Sequence, residues 1–495
     1  MKTSRFIIYI IDRCVVQLEE RQYIPPCTKL VGRIHPGAWA INLVESDYPK
    51  LFVGSVRSAR ERQLAMVGGV DVDTEHGAVR VRLVESDPLQ YTAFREGFAN
   101  RTLWLLHHGL MEANSIPVDE IWAYFRSFAV VNENVASAVW AEILQRHGRV
   151  TVFWQDYQWY VAPALLRKKI SNQNRGDIVL QHFVHVAFPG PEAWLVLPAA
   201  IRREIFEGLA SNDVVGFHTA RFAANFINCC ETFLGYRVDR RDGIVTSFDG
   251  HKTLVRAYPL PTSPMRFKQL AQKPDARQFA QQLRKAVGEH RILIFRTERL
   301  DPAKAFPDAL RAFRALISQE KFRGRVVYVA QLVPSRGNIP EWATLRAEIT
   351  RQVEEINRTF ATLDWTPVLL SIEENIEKAI GGYLEYDVLD VVPRSDGMNL
   401  VSLEGPCINE RQGVLVLSSG AGSHDLLSHY ALTVPPGDLD VHCKVLANAV
   451  DMPHEERRYR SQGLRKIVHG RDPRHWVEAQ IRDGEAFVLD RFTAS

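Results

Sequence analysis

The chain carries almost no net charge: 61 basic and 58 acidic side chains in 495 residues leave a formal charge of +3. A protein that binds nucleic acid without regard to sequence needs a clear basic excess or a basic stripe, so the composition argues against nucleic acid as a partner. Apolar residues make up 46% and charged residues 24% of the chain. These values are typical of globular proteins and exclude disordered, coiled-coil and collagen-like chains.

Long hydrophobic runs and cysteine motifs are also missing. No segment reaches the roughly 18 apolar residues of a membrane span, so we expect no membrane partner. The apolar run at residues 6–11 stops at Asp12 and Arg13, too early for the core of a signal peptide. The six cysteines lack CxxC spacing and are too few for a disulfide framework. We therefore expect a cytoplasmic protein with no metal site.

Short apolar runs alternate with helical patterns along most of the chain. This alternation predicts an α/β fold, in which helices cover both faces of parallel sheets. The length allows two or three domains. Pro259, Pro261 and Pro264 punctuate the chain after residue 258 and indicate a domain boundary there.

Polar side chains follow the strand predicted at residues 291–295. Arg299 and Lys304 stand in this segment, before a predicted helix. A guanidinium binds phosphate as a fork and an ammonium as a point charge, so the two side chains are candidates for one anion. The alternative is that these charges lie on the solvated start of a helix and bind no anion.

A second polar segment follows the strand predicted at residues 388–392 and contains Asp396-Gly397. A helix that opens here presents free backbone N–H groups and the positive end of its dipole, which favour a pyrophosphate. Glu404 follows about two turns later, where a carboxylate can accept hydrogen bonds from a ribose diol. The alternative is a capped helix with a buried acid.

The N-terminal half has polar residues at two predicted strand ends, Asp156-Tyr157 and His182 to His185. Side chains three residues apart face opposite sides of a strand, so a metal shared by the two histidines is disfavoured. One histidine as a sugar ligand or as an acid/base group is the better interpretation.

The order of these motifs resembles that of the trehalose-6-phosphate synthase family. In the C-terminal half the matching motifs are Arg299-Leu-Asp301 with Lys304, Pro334-Ser-Arg336-Gly337, Trp365-Thr-Pro367, and Asp396-Gly-Met-Asn-Leu-Val with Glu404. In the N-terminal half they are Phe98-Ala-Asn100-Arg-Thr-Leu-Trp104, Asp156-Tyr157 and His185-Val-Ala-Phe-Pro-Gly-Pro-Glu192. Asp472-Pro-Arg-His475-Trp476 resembles the start of the family's crossover helix.

The resemblance implies a retaining glycosyltransferase of the GT-B architecture, with two Rossmann-like domains whose parallel sheets face a central cleft. It implies an acceptor-binding domain at residues 1–258, a nucleotide-sugar-binding domain at 259–474 and a crossover helix at 475–495 that packs back toward the N-terminal domain. The expected co-substrate is a nucleotide diphosphate sugar of the UDP or GDP type, with no cofactor. The resemblance leaves a homo-oligomer open.

The resemblance also assigns the donor side. Arg299 and Lys304 would hold the diphosphate and stabilise it as the leaving group, Asp396 would bind sugar hydroxyls, and His185 would contact the sugar near the reacting carbon. The other implied donor-binding residues are Gly397, Met398, Asn399, Leu400, Val401, Glu404 and, near the base, Asn375. In the family's front-face mechanism the leaving phosphate oxygen takes the acceptor proton, so no carboxylate base is expected.

The acceptor side keeps only part of the family pattern. The implied acceptor-binding residues are Arg13, Arg95, Trp104, Asp156, Tyr157, Gln158 and Arg336. Arg13 and Arg336 correspond to the family's phosphate holders, so a phosphorylated sugar or polyol is expected. The family's Gly-Gly-Leu loop is absent, two histidines are Gln155 and Gln158, and a tyrosine is Arg95. These departures leave the acceptor's identity open.

Two other functions stay open. Gln158, Asp301-Pro-x-Lys304 and the segment from Glu404 to Arg411 resemble a subgroup that includes validoxylamine phosphate synthase. That enzyme is a pseudo-glycosyltransferase, which joins a nucleotide-activated cyclitol to an amino-cyclitol phosphate. The absent Gly-Gly-Leu loop motivates a catalytically inactive regulatory protein, although the intact donor side argues against it.

Overall fold

The computed structural model describes residues 5–12, 16–18, 30–34, 49–66, 68–74, 77–112, 115–173 and 175–493. The chain forms two compact units. One comprises Met1–Tyr258 together with Pro473–Ser495, and the other comprises Pro259–Asp472.

The N-terminal unit is built on one twelve-stranded sheet. Its strands are β1 (Arg5–Ile10), β2 (Val16–Leu18), β3 (Leu30–Ile34), β4 (Lys50–Ser55), β5 (Val70–Thr74), β6 (Gly77–Val84), β7 (Arg149–Gln155), β8 (Ile178–Phe183), β9 (Val214–Phe217), β10 (Arg237–Asp239), β11 (Ile244–Thr246) and β12 (Lys252–Ala257). Their order is β10-β11-β12-β9-β8-β7-β1-β4-β6-β5-β3-β2. The stretch from β12 to β6 is parallel throughout.

Helices surround this sheet, and the last one returns to it from the end of the chain. They span Ala59–Ala65, Pro88–Thr92, Trp104–His107, Val118–Leu144, Ala162–Asn172, Pro191–Trp194, Ala199–Leu209, Ala220–Leu234 and Pro473–Thr493, with a π-helix at Ala93–Leu103 and a 3-10 turn at Tyr157–Trp159. The indole of Trp476 donates to the carbonyl of Tyr258 at 2.9 Å, and the amide of Gln181 donates to the carbonyl of Gln480 at 2.7 Å. The terminal helix is therefore anchored on this unit.

The C-terminal unit contains a fully parallel six-stranded sheet. Its strands are β13 (Ile292–Arg299), β14 (Val326–Val333), β15 (Val368–Ile372), β16 (Val388–Val391), β17 (Val414–Ser418) and β18 (Leu432–Val434). Their order, β15-β14-β13-β16-β17-β18, is the 3-2-1-4-5-6 order of a Rossmann sheet. The helices span Pro264–Ala271, Pro274–Val287, Phe306–Ser318, Pro340–Phe360, Ile376–Glu385, Val401–Ile408, His424–Leu427, Leu439–Asp451 and His454–His469, with 3-10 turns at Pro302–Lys304 and Glu320–Phe322.

In the parallel run of each sheet, the strand order reverses at one point. The reversal lies between β1 and β7 in the N-terminal unit and between β13 and β16 in the C-terminal unit. Ligands of open parallel sheets bind beyond the carboxyl ends of strands at such a point. The predicted α/β class with two Rossmann-like sheets is confirmed. No helix in the described ranges is long and apolar enough to cross a membrane.

Two predicted element boundaries are wrong. The strand predicted at residues 291–295 continues to Arg299, because all eight residues of β13 pair with β14. Arg296 and Glu298 are consequently buried strand residues rather than loop residues. The helix expected to open at Asp396 begins at Val401, so Asp396 to Leu400 form a loop before it.

Candidate active site

Lys304 and Asp396 meet where β13 and β16 end. The turn Pro302–Lys304 is capped by Asp301, whose Oδ1 accepts a hydrogen bond from the backbone N of Ala303 at 3.1 Å. The loop after β16 is tied to this turn, since the N of Arg394 donates to the carbonyl of Ala303 at 3.0 Å. The ammonium of Lys304 then forms an ion pair with Oδ2 of Asp396. Two residues that the sequence proposes for the donor are thus adjacent.

Asn399 orients the carboxylate of Asp396. Its Nδ2 donates to Oδ2 of Asp396 at 3.0 Å, and its own backbone is left-handed, with φ of 59°. A left-handed non-glycine residue costs free energy and is held by its surroundings, here by a hydrogen bond from the Ser402 hydroxyl to its carbonyl at 2.7 Å. Oδ1 of Asn399 is buried and has no partner within the described part of the chain. It is therefore an acceptor suited to a ligand hydroxyl.

The helix Val401–Ile408 points its N-terminus toward this loop. No side chain caps that N-terminus, so its N–H groups and dipole suit an anion that approaches Leu400 and Val401. Gly397 and Met398 precede it in the same loop. Glu404 is on the first turn, and its Oε2 accepts from the Tyr383 hydroxyl at 2.9 Å. Burial raises the pKa of Glu404 above its usual range.

Arg336 reaches the same turn from the end of β14. Its Nη1 donates to Oδ2 of Asp301 at 2.7 Å, and its guanidinium lies 5.3 Å from the Trp342 ring centre. Arg299 is the last residue of β13 and is exposed. The structure therefore places Arg299, at the end of β13, and Arg336, in the loop after β14, close to Asp301.

Asn375 has a structural task that the sequence does not reveal. It is the N-cap of the helix Ile376–Glu385, where its Oδ1 accepts from the N of Lys378 at 2.9 Å. Its contact with a nucleotide base stays a prediction.

A buried charge network below Lys304 was missed by the sequence interpretation. The guanidinium of Arg296 is 1% exposed, bonds the carboxylate of Glu298 and donates to the backbone carbonyl of Lys304. Asp390 lies 3.5 Å from Nη1 of Arg296 and also accepts from the Tyr328 hydroxyl at 2.7 Å. Burial raises the pKa of Glu298 to about 7, although Arg296 and Lys304 oppose the shift. This network fixes the backbone that carries Lys304.

In the N-terminal unit, Asp156 links the ends of β7 and β8. Its φ of 70° is strained for an aspartate. The conformation is held from both sides: the N of His185 donates to its Oδ1 at 3.0 Å, and Nε2 of His182 donates to its carbonyl at 2.9 Å. Gln155, not singled out as a site residue, accepts from Nε2 of His185 at 2.8 Å.

Three histidines of this unit are neutral: His107 and His182, which are buried, and His185, which is half-buried. Burial lowers the pKa of His185 to about 4 and those of His182 and His107 to about 3. His185 packs against Phe183, His218 and Trp476. A neutral imidazole in such surroundings serves as a hydrogen-bonding group rather than as a proton donor at neutral pH.

The predicted acceptor residues Trp104 and Tyr157 are neighbours. Their ring centres lie 5.9 Å apart, and the Tyr157 hydroxyl donates to Oδ1 of Asn100 at 3.0 Å. The backbone of Gln158 is fixed by Asn132, whose Nδ2 donates to its carbonyl at 3.0 Å. Asn100 and Trp104 lie in and directly after the π-helix Ala93–Leu103, and such helices are often found at functional sites.

Arg95 lies beside Asp12 at the end of β1. Its Nε is 3.4 Å from Oδ2 of Asp12, and the Tyr91 hydroxyl donates to Oδ1 at 2.9 Å. Asp12 was not among the predicted site residues. The predicted phosphate ligand Arg13 lies outside the described residues.

Within the described ranges, no group of three or more histidine, cysteine, aspartate or glutamate side chains is arranged to hold a metal ion.

Comparison with known proteins shows which family the chain resembles. The model of glycosyltransferase family 20 matches residues 20–486. A bifunctional trehalose-6-phosphate synthase/phosphatase of Thermoproteus tenax is 33% identical over 443 residues, which cover 86% of this chain and 58% of that protein. The chain therefore spans less than two thirds of that relative. A UDP-forming alpha,alpha-trehalose-phosphate synthase of Pichia angusta is 31% identical over 391 residues, covering 78% of this chain and 79% of the relative.

Solved structures share the fold. An alpha,alpha-trehalose 6-phosphate synthase of Burkholderia multivorans superposes with a TM-score of 0.83 at 23% identity and covers 99% of this chain and 98% of its own. A UDP-forming synthase of Burkholderia xenovorans in complex with glucose-6-phosphate gives a TM-score of 0.80 at 24% identity, over 97% of this chain and 100% of its own. These likenesses support the GT-B fold.

Proposed function

Since the chain belongs to glycosyltransferase family 20, we propose that this glycosyltransferase moves a hexose from UDP to the hydroxyl of a phosphorylated sugar, with retention of the anomeric configuration. Curated relatives are named as UDP-forming synthases, and one solved relative holds glucose-6-phosphate. UDP-glucose and glucose 6-phosphate are accordingly the first substrates to test.

The observation that carries the proposal is the Lys304–Asp396 ion pair at the strand-order reversal of the Rossmann sheet. A diphosphate needs cations close to its oxygens, and a sugar needs carboxylate acceptors for its hydroxyls. Lys304 and Asp396 place both kinds of group together, and the uncapped helix N-terminus at Val401 adds N–H donors.

The proposed reaction breaks the bond between the anomeric carbon and the phosphate oxygen of UDP. The acceptor oxygen bonds to the same face of that carbon, and its proton passes to the departing phosphate oxygen. Arg299 and Lys304 stabilise the negative charge that develops there, which is a large contribution when the donors are already in position. Positioning supplies the rest, so the residues need no separate carboxylate base.

The proposed role of His185 is to hold a donor-sugar hydroxyl. Its low pKa keeps the ring neutral, and Gln155 fixes the ring orientation through Nε2. The other ring nitrogen, Nδ1, is then the hydrogen-bond acceptor. This assigns His185 to binding and orientation rather than to proton transfer.

Calorimetric titration with UDP, GDP and ADP tests the donor assignment. We expect UDP to bind and Lys304→Ala to weaken it at least about tenfold, because a charged hydrogen bond to phosphate is lost. Lys321→Gln is the matched control, since Lys321 is exposed and pairs with Asp451 at 3.2 Å. Absence of binding by all three nucleotides would refute the proposal.

A further inference from the structure

The C-terminal unit has a polar cavity of about 740 Å³ where the helix Val401–Ile408 ends. Small-molecule sites typically measure about 300–1,000 Å³. The cavity is lined by the cations Lys268, Arg277, Arg458 and Arg465, with His469 beside them and the carboxylate of Glu410. The proposed donor groups lie at the other end of this helix. We call this second site the basic cavity.

The positive charge of the basic cavity is only partly compensated. Glu410 offsets one cation, because its Oε2 accepts from Nη1 of Arg277 at 2.8 Å. Arg465 bonds a neutral group instead, the carbonyl of Asn409. Arg458 approaches Nδ1 of His454 at 3.4 Å. Four cations against one carboxylate attract an anion of more than one charge.

The floor of the basic cavity is rigid. Nδ2 of Asn409 donates to the carbonyls of Tyr383 and Tyr386 at 3.1 and 2.9 Å. Its Oδ1 accepts from the N of Gly413 at 2.7 Å. A floor held in this way does not have to be ordered when a ligand binds, which favours affinity.

The thiol at the floor is not the functional group. Cys407 is 3% exposed, and burial raises its pKa to about 12, although Lys268 and Arg465 pull it down. A thiol in this state is inert as a nucleophile. Lys268 and Arg465 therefore do not serve to activate this thiol.

We propose that the basic cavity binds a small phosphorylated metabolite with at least two negative charges, separate from the proposed donor and acceptor groups. Arginine side chains grip phosphate oxygens through two N–H groups, and Lys268 adds a point charge. The concave, roughly metabolite-sized shape fits a small molecule.

The position of the cavity couples it to the proposed donor site. Arg465 and His469 bond the carbonyls at the C-terminal end of the helix, where cations favour the helix dipole. A bound phosphate competes with those carbonyls for Arg465. The helix is only about 12 Å long by its rise per residue and carries Glu404 on its first turn. Phosphate bound in the cavity should therefore change the affinity of the protein for UDP. Bound UDP should then change the affinity for phosphate by the same factor.

The test is calorimetric titration of the full chain with inorganic phosphate, carried out with UDP saturating. The cavity variant is Lys268→Gln with Arg458→Gln, both exposed, and the control is Lys285→Gln with Arg358→Gln, which removes the same charge from exposed positions outside the cavity. We expect the cavity variant to weaken phosphate binding at least about tenfold and the control to change it less than about twofold. UDP binding without phosphate should be equal in all three proteins.

Three results would overturn the proposal: no phosphate binding by the unmodified chain, unchanged binding in the cavity variant, or equal weakening in both variants, which would indicate bulk charge alone. Melting temperatures of the three proteins check that each is folded. Because the readout is binding, it does not depend on which sugar the enzyme transfers.

Discussion

Lys304 and Asp396 stand 92 residues apart in the chain, yet their side chains form an ion pair where β13 and β16 end. The ion pair is partly buried, with 12% of the Lys304 side chain and 15% of the Asp396 side chain exposed. A diphosphate that binds Lys304 would take over its ammonium and release the Asp396 carboxylate for sugar hydroxyls. The ion pair therefore holds the ammonium and the carboxylate in the positions that the proposed reaction needs.

Replacing Lys304 by alanine should lower kcat by about 10²- to 10³-fold, because one charged donor to the leaving phosphate is lost. Steady-state rates with a fixed acceptor and varied UDP-sugar measure this. The control Lys321→Gln should keep its rate within about twofold, as exposed ion pairs contribute little. A kcat unchanged in Lys304→Ala would place Lys304 outside the catalytic machinery.

Arg296→Met should destabilise the C-terminal unit by about 3–5 kcal/mol, because it leaves the carboxylate of Glu298 buried without the guanidinium that bonds it. It also removes one ion-pair partner of Asp390, which keeps His442 at 2.9 Å. It should also raise the KM for the nucleotide sugar, since Arg296 holds the backbone carbonyl of Lys304. Urea unfolding and steady-state kinetics measure the two effects. A loss below about 1 kcal/mol would mean that the network is not structural.

Three histidines of the N-terminal unit predict that the protein loses stability in acid. The native pKa values of His107, His182 and His185 lie below the unfolded value of about 6.5. Below about pH 6.5 the unfolded state therefore binds more protons than the native state. The stabilisation that the neutral histidines provide is fully present above about pH 6.5, and the free energy of unfolding falls as the pH drops toward 4. Each histidine lowers the free energy of unfolding by about 1.4 kcal/mol per pH unit in that interval.

His107→Gln tests this by comparison of urea unfolding at pH 7 and pH 5. The variant should lose about 2 kcal/mol less than the unmodified chain over that interval, because one of the three protonations is removed. Equal losses would show that the native pKa of His107 is not lowered.

Arg95→Tyr restores the residue that the family pattern has at this position. It removes the cation beside Asp12, so the KM for a phosphorylated acceptor should rise at least about fivefold while the KM for the donor stays within about twofold. Arg101→Gln is the matched control, since Arg101 lies on the same π-helix and pairs with Glu120 at 3.2 Å. A donor effect as large as the acceptor effect would contradict the assignment of Arg95.

The alternation of apolar runs and helical patterns predicts the two Rossmann-like sheets, because parallel strands buried on both faces are short and almost wholly apolar. The strand β14 illustrates the rule, with seven of its eight residues buried. The ends of elements are harder to place. Arg296 and Glu298 look like loop residues in the sequence, because their burial depends on partners as distant as Asp390.

The candidate site is only partly visible in the sequence. Asp396 and Lys304 can be proposed because each follows a predicted strand, and family motifs contain both. Gln155 and Asp12 were not proposed, since their importance comes from contacts with His185 and Arg95 across neighbouring elements. The strain at Asp156 likewise has no sequence signal, because its φ of 70° is combined with a ψ of −178°, a region occupied almost only by glycine.

The central claim is retaining transfer of a hexose from UDP to a phosphorylated sugar. The most direct measurement incubates the full chain with UDP-glucose and a panel of phosphorylated sugars, glucose 6-phosphate among them, and analyses the product by mass spectrometry and proton NMR. We expect UDP release and a disaccharide phosphate whose new linkage keeps the α configuration of the donor. A β-linked product, or no sugar transfer to any phosphorylated acceptor, would contradict the account.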